Sequence, residues 1–487
     1  MDVTAILSTS STQGTVDEAF SVSASWQTSI VTPATMSPEQ TAWMAALDSV
    51  SRDSSAATPP DPFIGPQPVT AAVSLEQLPK LRGIQLLDQL TLLSAPQLNA
   101  FVSKHADVIA GLLQTPPSAS KVAALWTQTS AAQHAAMLSG APELVGGLEG
   151  FPYSARDMAN RVNLSTAEHD IRQQLKAGVG RAASDELTKR LHMLGQVRKA
   201  LDVGSSGNRR ELVSLDPTGE GRAVIVIGNA STADYVDYLI PGMFSDVDTQ
   251  IVAFADSSDN IATEQQAWIK RLNPGVASDK LPTVATFAWI GYHTPNIVNV
   301  ASMQLAREGQ QSLTASIEGL RAERAARVVD GKPGAQPYVA ILAHSYGTTA
   351  AMLSLEEDDV TVDALAIVGS PGSPARSVSQ LKVTGGNVWV GAAQTDPVPQ
   401  TGIFGSQPLS SSFGAHRFGV DGATDPLTGK SMRDALGHND YFVTGTESLR
   451  NMVLIGIGRG DLVLGQDGKS ALSIGKGRAV VSSGPSV

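Results

Sequence analysis

The sequence predicts an α/β protein: a mainly parallel sheet flanked by helices, preceded by an all-helical N-terminal region. Three observations predict it. From Gly204-Ser205-Ser206-Gly207 onward, short apolar runs alternate with helical stretches. One stretch, YVAILAHSYGTTAAMLSL from Tyr338 to Leu355, passes from a β-branched apolar run through a tight turn into an alanine-rich helix. From about Val73 to Leu148, and again from Thr166 to about Asp202, the apolar periodicity is helical. The boundaries that follow are 1–72, a Ser/Thr/Ala/Pro-rich segment with one or two helices; 73–203, a helical domain; 204–460, the α/β domain that carries the chemistry; and 461–487, a tail.

With 487 residues the chain can hold two or three domains and a full hydrophobic core. Its formal net charge is −11, from 35 basic and 46 acidic side chains. That balance argues against nucleic acid or an anionic membrane surface as the main partner. There is no cysteine, which excludes disulfides, thiolate metal sites and a cysteine nucleophile. No apolar run approaches the ~18 residues of a membrane span. The N-terminus, MDVTAILSTSSTQG, has neither a basic n-region nor an apolar core sufficient for a secretory signal. The expectation is a soluble cytoplasmic protein without an integral membrane segment, with export by a route lacking a cleaved signal left open.

In the first segment Ser37 can cap a helix, Pro38 suits its first position and Gln40 completes a capping-box-like pattern. Trp43, Ala46 and Leu47 then share a face, and Ala57-Thr58-Pro59-Pro60-Asp61-Pro62 reads as a linker. In the helical domain, Leu93-Ser94-Ala95-Pro96-Gln97 is echoed 36 residues later by Thr129-Ser130-Ala131-Ala132-Gln133. Ala100 and Ala136, Ser103 and Ser139, Gly111 and Gly147, and Leu112 and Leu148 keep the same register. The echo predicts two related helical hairpins burying their apolar faces against each other. The stretch 146–164 reads as less regular. His105, His134, His169 and His192 have no second ligand at metal spacing and read as surface or packing residues. In the α/β domain the expected strands are 222–227, 235–240, 285–290, 338–342, 364–368 and 387–392, with a long helix over about 298–328. In such sheets the ligand sits at the carboxyl ends of the strands.

The turn Ala343-His344-Ser345-Tyr346-Gly347 has the layout of a nucleophile elbow. It lifts the Ser345 hydroxyl out of the sheet, near the positive end of the next helix. Gly347 lets strand and helix approach, whereas Ala343 stands where the pattern usually has glycine. The competing reading is an ordinary strand–loop–helix with a capping serine. A serine nucleophile needs a base, and the base needs an acid to orient it, in the chain order Ser, acid, His. Only His416 and His438 follow Ser345. His438, on a loop before a helix that starts near Thr446, is the preferred base; His416 lies in a strand-like run, 416–420. Asp396 directly follows the 387–392 strand and is the preferred acid, against its reading as an Asp-Pro turn former. Asp440, Asp421 and Asp425 are the alternatives. The oxyanion hole needs two backbone N–H groups. Tyr346 offers one, and Gly242 or Met243, in Ile240-Pro241-Gly242-Met243-Phe244, offers the other; a plain Pro-Gly turn is the competing reading.

These residues and several more, taken in order, resemble an uncharacterised branch of the α/β-hydrolase superfamily, a domain of unknown function. The matching pieces begin with Ala141-Pro142-Glu143-Leu144-Val145-Gly146-Gly147-Leu148-Glu149-Gly150-Phe151-Pro152 and Arg156-Asp157-Met158-Ala159-Asn160-Arg161. Gly228-Asn229-Ala230-Ser231-Thr232-Ala233-Asp234, Ile240-Pro241-Gly242-Met243, and Trp289-Ile290-Gly291-Tyr292 with Pro295 follow. The elbow, Gly369-Ser370-Pro371-Gly372, Asp396-Pro397-Val398 and His438-Asn439-Asp440-Tyr441 complete the set, which covers about 120–450. The resemblance implies an α/β-hydrolase fold and the superfamily's serine-hydrolase mechanism, with Ser345, Asp396 and His438 as its triad. It implies no substrate.

The expectation is therefore a serine hydrolase acting on a carboxylic ester, small-molecule or lipid, through a Ser-His-Asp triad and an acyl-enzyme, with no metal or organic cofactor. One alternative is a non-catalytic binding or scaffolding protein on a hydrolase fold, motivated by Ala343 and by N-terminal helices that could hold a protein partner. The other is a lipid-directed, lipase- or phospholipase-like hydrolase whose helical region forms a lid.

Overall fold

The computed structural model describes residues 74–204, 206–329 and 331–471. The helix expected near Ser37 and the linker at 57–62 lie outside the described residues.

The apolar runs after residue 204 pair into one sheet. Its strands are β1 (Arg210–Asp216), β2 (Arg222–Gly228), β3 (Tyr235–Ile240), β4 (Val284–Ile290), β5 (Tyr338–His344), β6 (Ala364–Val368), β7 (Val388–Gly391) and β8 (His416–Arg417). They lie in the order β1-β2-β4-β3-β5-β6-β7-β8. Only β2 runs against its neighbours, pairing antiparallel with both β1 and β4; the remaining pairs are parallel. The six expected strands appear within two residues of their expected ends. The edge strand β1 was not expected. Its run RELVSLD is only half apolar, and its register shifts between Leu212 and Ser214.

Alternation along the strands splits the core in two. Ile225, Leu239, Ala288, Leu342 and Ala366 face helices α8 (Arg181–Ala200), α9 (Val247–Leu272) and α12 (Glu447–Gly456). Val224, Tyr238, Phe287, Ile341 and Ile367 face α10 (Gln304–Ala326) and α11 (Tyr346–Glu357). The helix expected over 298–328 starts only at Gln304. Before it, the Asn296 and Asn299 side chains accept the N–H groups of Val298 and Asn296, closing a turn that competes with helix.

The upstream helices have a core of their own, including Leu86, Leu90, Leu98, Leu112, Met137 and Leu144. They are α1 (Gly83–Thr91), α2 (Ala95–Lys104), α3 (Ala106–Gln114), α4 (Ala119–Gln128), α5 (Ala131–Gly140) and α6 (Pro142–Gly147). The echoed residues fall on two helix pairs, α2–α3 and α5–α6, and the helices before them, α1 and α4, start at the same offset of 36 residues. Ser94 and Ser130, equivalent in the echo, each open a helix with a capping box, to Gln97 and Gln133.

The stretch that reads as irregular contains the start of a 25-residue helix, α7 (Tyr153–Ala177). Its helical signal is obscured because the face it buries mixes polar with apolar side chains. Arg156, Asp157 and Asn160 are all buried. Asp157 Oδ1 accepts the Leu212 N–H at 2.7 Å, Asn160 Nδ2 donates to Leu212 O at 3.1 Å, and an Arg161 N–H donates to Arg210 O at 2.8 Å. These groups belong to the edge strand β1, so α7 is a strap that satisfies an otherwise open sheet edge. Arg156 also pairs with Glu149, whose carboxylate fills the space beside Gly319 of α10. The Arg156 to Arg161 motif thus joins the helices to the sheet. Arg210 lies beside the amino-terminal part of β4, through Ile227, not beside the carboxyl ends of the strands. Among the described residues no helix is long and apolar enough to cross a membrane.

Asn160→Ala would remove the side-chain donor from the carbonyls of Leu212 and Gly146. Urea unfolding should show a loss of about 2 kcal/mol; a loss under about 0.5 kcal/mol would mean that water replaces the strap.

Candidate active site

Strand β5 delivers Ser345 to the carboxyl end of the sheet in a conformation that L-residues avoid, φ 54° and ψ −131°. Its surroundings hold it there. The Ser345 N–H donates to Val368 O at 2.9 Å, and the Thr348 hydroxyl donates to Ser345 O at 2.6 Å. Gly347 passes so close to the Pro241 carbonyl that any side chain there would collide with it. Ala343, in register with Ile240 and Ile367, buries its methyl in the core below the turn. The close strand–helix approach is therefore made at Gly347. Ser345 occupies the N-cap position of α11, but its side chain makes no capping hydrogen bond. Its Oγ lies instead 2.7 Å from His438 Nε2.

His438 sits on the 433–446 loop, which is closed by hydrogen bonds from Arg433 N–H to Gly445 O and from Glu447 N–H to Arg433 O. His438 Nδ1 lies 3.0 and 2.9 Å from the two carboxylate oxygens of Asp396. Asp396 follows β7 and is 2% exposed. Burial alone would raise its pKa; hydrogen bonds from His438, Tyr441 and the Val398 N–H outweigh that and hold it below the ordinary carboxylate range. Gly369, at φ +60°, leaves the room for this contact: a Cβ there would lie 3.0 Å from His438 Cε1 and 3.1 Å from Asp396 Oδ2. The alternatives are engaged elsewhere. His416 packs on Trp389, Asp440 pairs with Arg433, Asp425 pairs with buried Arg450, and Asp421 accepts a bond from Gln394.

Of the candidate oxyanion donors, Gly242 lies against the serine: a Cβ on it would sit 2.9 Å from Ser345 Oγ. Met243 follows it, half-buried. Among the described residues neither donates its N–H to another backbone group. Tyr346 is the first residue of α11, so its N–H has no intrahelical acceptor. Tyr292 Oη donates to Pro241 O at 2.7 Å and so anchors the Gly242 loop. Exposed apolar side chains stand on the loops at this end of the sheet: Phe244 after β3, Ile297 and Val298 after β4, Ile403 after β7, and Leu436 beside His438. Among the described residues no group of three or more His, Asp or Glu side chains could hold a metal ion. A cleft of about 330 Å³ lined by Asn208, Asn229, Thr232 and Thr283 opens at the amino end of β4, at the opposite end of the sheet from Ser345.

Three residues at the site escape sequence reasoning. Tyr292 and Tyr441 lie inside motifs that were visible, but nothing in their spacing marks them as partners of Pro241 and Asp396. His344 gives no signal beyond its place before the serine. Its Nε2 lies 2.6 Å from the His438 carbonyl, which can only accept, so Nε2 carries the proton. Burial, then the neighbouring His438, lowers its pKa to about 4. The neutral ring therefore contributes stability that is full above pH ~6.5 and is lost as pH falls toward 4. His344→Phe should keep the ring packing and abolish that part of the acid dependence. Melting curves from pH 7 to 4 should fall less steeply than wild type, by about 2 kcal/mol; parallel curves would contradict this reading.

A family model described as an alpha/beta hydrolase matches residues 216–406, which include Gly242, Ser345 and Asp396. Two curated relatives, uncharacterized proteins of Mycobacterium tuberculosis strains CDC 1551 and H37Rv, are each 28% identical over 410 residues. The alignments cover 74% of this chain and 59% of each relative, so the chain spans about three-fifths of their length. Among solved structures, a carboxyl esterase of Tuber melanosporum is 12% identical, with 53% of this chain and 89% of that chain covered at a TM-score of 0.29. An esterase of Pyrobaculum calidifontis is 10% identical, with coverages of 60% and 97% and a TM-score of 0.27. The family match falls on the sheet and serine-bearing turn described above, and the chain has the α/β-hydrolase fold.

Proposed function

We propose that the protein is a serine hydrolase cleaving carboxylic esters. The observation that carries this reading is the continuous run of contacts from Ser345 Oγ to His438 Nε2, 2.7 Å, and from His438 Nδ1 to Asp396, 2.9 Å. Ser345 Oγ would attack the ester carbonyl as His438 Nε2 takes its proton. Asp396 would hold the Nδ1–H tautomer and stabilise the imidazolium. The N–H groups of Tyr346 and of Gly242 or Met243 would stabilise the oxyanion. The protonated His438 would then give its proton to the departing alkoxide, leaving an acyl-serine. Water, deprotonated by the same imidazole, would attack the acyl carbon and release the acid and Ser345.

The exposed Phe244, Ile297, Val298, Ile403 and Leu436 favour an ester with an apolar part, within the lipid-directed alternative. The helical strap engages β1 and α10, which gives no support to a lid made from α1–α8. The strained φ of Ser345 speaks against the scaffolding alternative, because a turn that only connects strand and helix has no use for such a conformation.

A panel of p-nitrophenyl esters from acetate to octanoate tests this. Ser345→Ala should fold and lose at least ~10³-fold of the turnover of every ester the wild type cleaves. Undiminished turnover by Ser345→Ala would end the proposal.

A further inference from the structure

Tyr441 lies three residues after His438 and is fully buried, with its ring in the core shared by α9 and α12. Its Oη lies 2.7 Å from Asp396 Oδ2 and 3.0 Å from the Ala393 nitrogen. The Ala393 N–H can only donate, so the phenol oxygen accepts there and its single proton is committed to Asp396. Each carboxylate oxygen thus takes two contacts. Oδ1 meets His438 Nδ1 at 3.0 Å and the Val398 N–H at 2.9 Å; Oδ2 meets His438 Nδ1 at 2.9 Å and the Tyr441 hydroxyl.

We propose that Tyr441 is a positioning residue for the proposed acid, gripping Asp396 from the same loop that presents His438, so that base and acid are held in register by one segment. This inference rests on the serine-hydrolase reading. Its physical content is a division of the carboxylate's charge. The phenol hydrogen bond takes up part of the charge on Oδ2, the oxygen that His438 Nδ1 also contacts, and so leaves less of it for the imidazole. Without it, Asp396 interacts more strongly with a charged His438 and is free to turn about its side-chain torsion.

The other groups around this pair do not supply the same control. His344, from the end of β5, is neutral and spends its Nε2–H on the His438 carbonyl. Asp440 is paired with Arg433. Asp421 faces Tyr441 electrostatically but does not bond to Asp396. Thr395 uses its hydroxyl to accept the Gly437 N–H, on the outer side of the loop.

The test is the rate of Ser345 labelling by a fluorophosphonate, measured from pH 5 to 9 on the full chain. In Tyr441→Phe the acidic limb of the rate should move to higher pH by about half a unit or more, and the plateau should fall severalfold. A variant carrying 3-fluorotyrosine at 441, a more acidic phenol and stronger donor, should move the limb the opposite way. It also carries the test should the phenylalanine variant not fold. A limb that stays in place in both variants, whatever the plateau does, would reduce Tyr441 to a packing residue and overturn the inference. Wild type that does not label at all would instead remove the serine-hydrolase reading on which it stands.

Discussion

Ser345 is held at φ 54°, a backbone conformation that costs an L-residue on the order of 1–3 kcal/mol. The design around it follows from keeping that turn in place. β5 must end beside β6, because the Ser345 N–H is bound to Val368 O. Residue 347 must be glycine, because the Pro241 carbonyl occupies the space a side chain would need. The Pro241 carbonyl is in turn fixed by Tyr292 at the end of β4. Four adjacent central strands, β4, β3, β5 and β6, and the loops that leave them are thereby tied to one residue. The serine hydroxyl that a helix would ordinarily use as a cap is left free to meet His438.

A second constraint is the burial of charge. Asp396 is almost sealed from water, which by itself favours the neutral acid. Contacts from His438, Tyr441 and the Val398 N–H reverse that preference. Two of the three come from outside the turn that carries Asp396, on the long loop before α12. His344 holds the same loop by its main chain. The loop is thus fixed from the elbow and from the acid at once, which places an imidazole between two groups more than 40 residues apart in sequence from one another. At the far side of the sheet the same physics serves stability: Asp157, Asn160 and Arg161 satisfy the open edge of β1 with buried polar side chains.

Much of this was legible in the sequence where local pattern and tertiary role coincide. The six inner strands are short apolar runs, so their burial on both faces is written in their composition. The serine turn is legible because strand, small residues and helix are contiguous there. The position of Asp396 after a core strand, and of His438 before the last helix, follows from chain order. Three features were not legible. β1 is an edge strand with a register shift, so only half of its residues are apolar. α7 buries Arg156, Asp157 and Asn160 among its apolar residues, which interrupts the apolar stripe that announces a helix. His344, Tyr292 and Tyr441 act through single long-range hydrogen bonds, which leave no periodicity behind. Ala343 stands where the elbow pattern usually has glycine; in the fold its methyl joins the core, and the tight contact is made at Gly347.

The most direct test of the account is intact-mass analysis with peptide mapping after incubation with a fluorophosphonate, on wild type and on His438→Ala. The account predicts a single adduct on Ser345 that forms rapidly in wild type and is slowed by orders of magnitude without His438. A folded wild-type protein that takes up no adduct, or one labelled at Ser345 equally fast without His438, would contradict it.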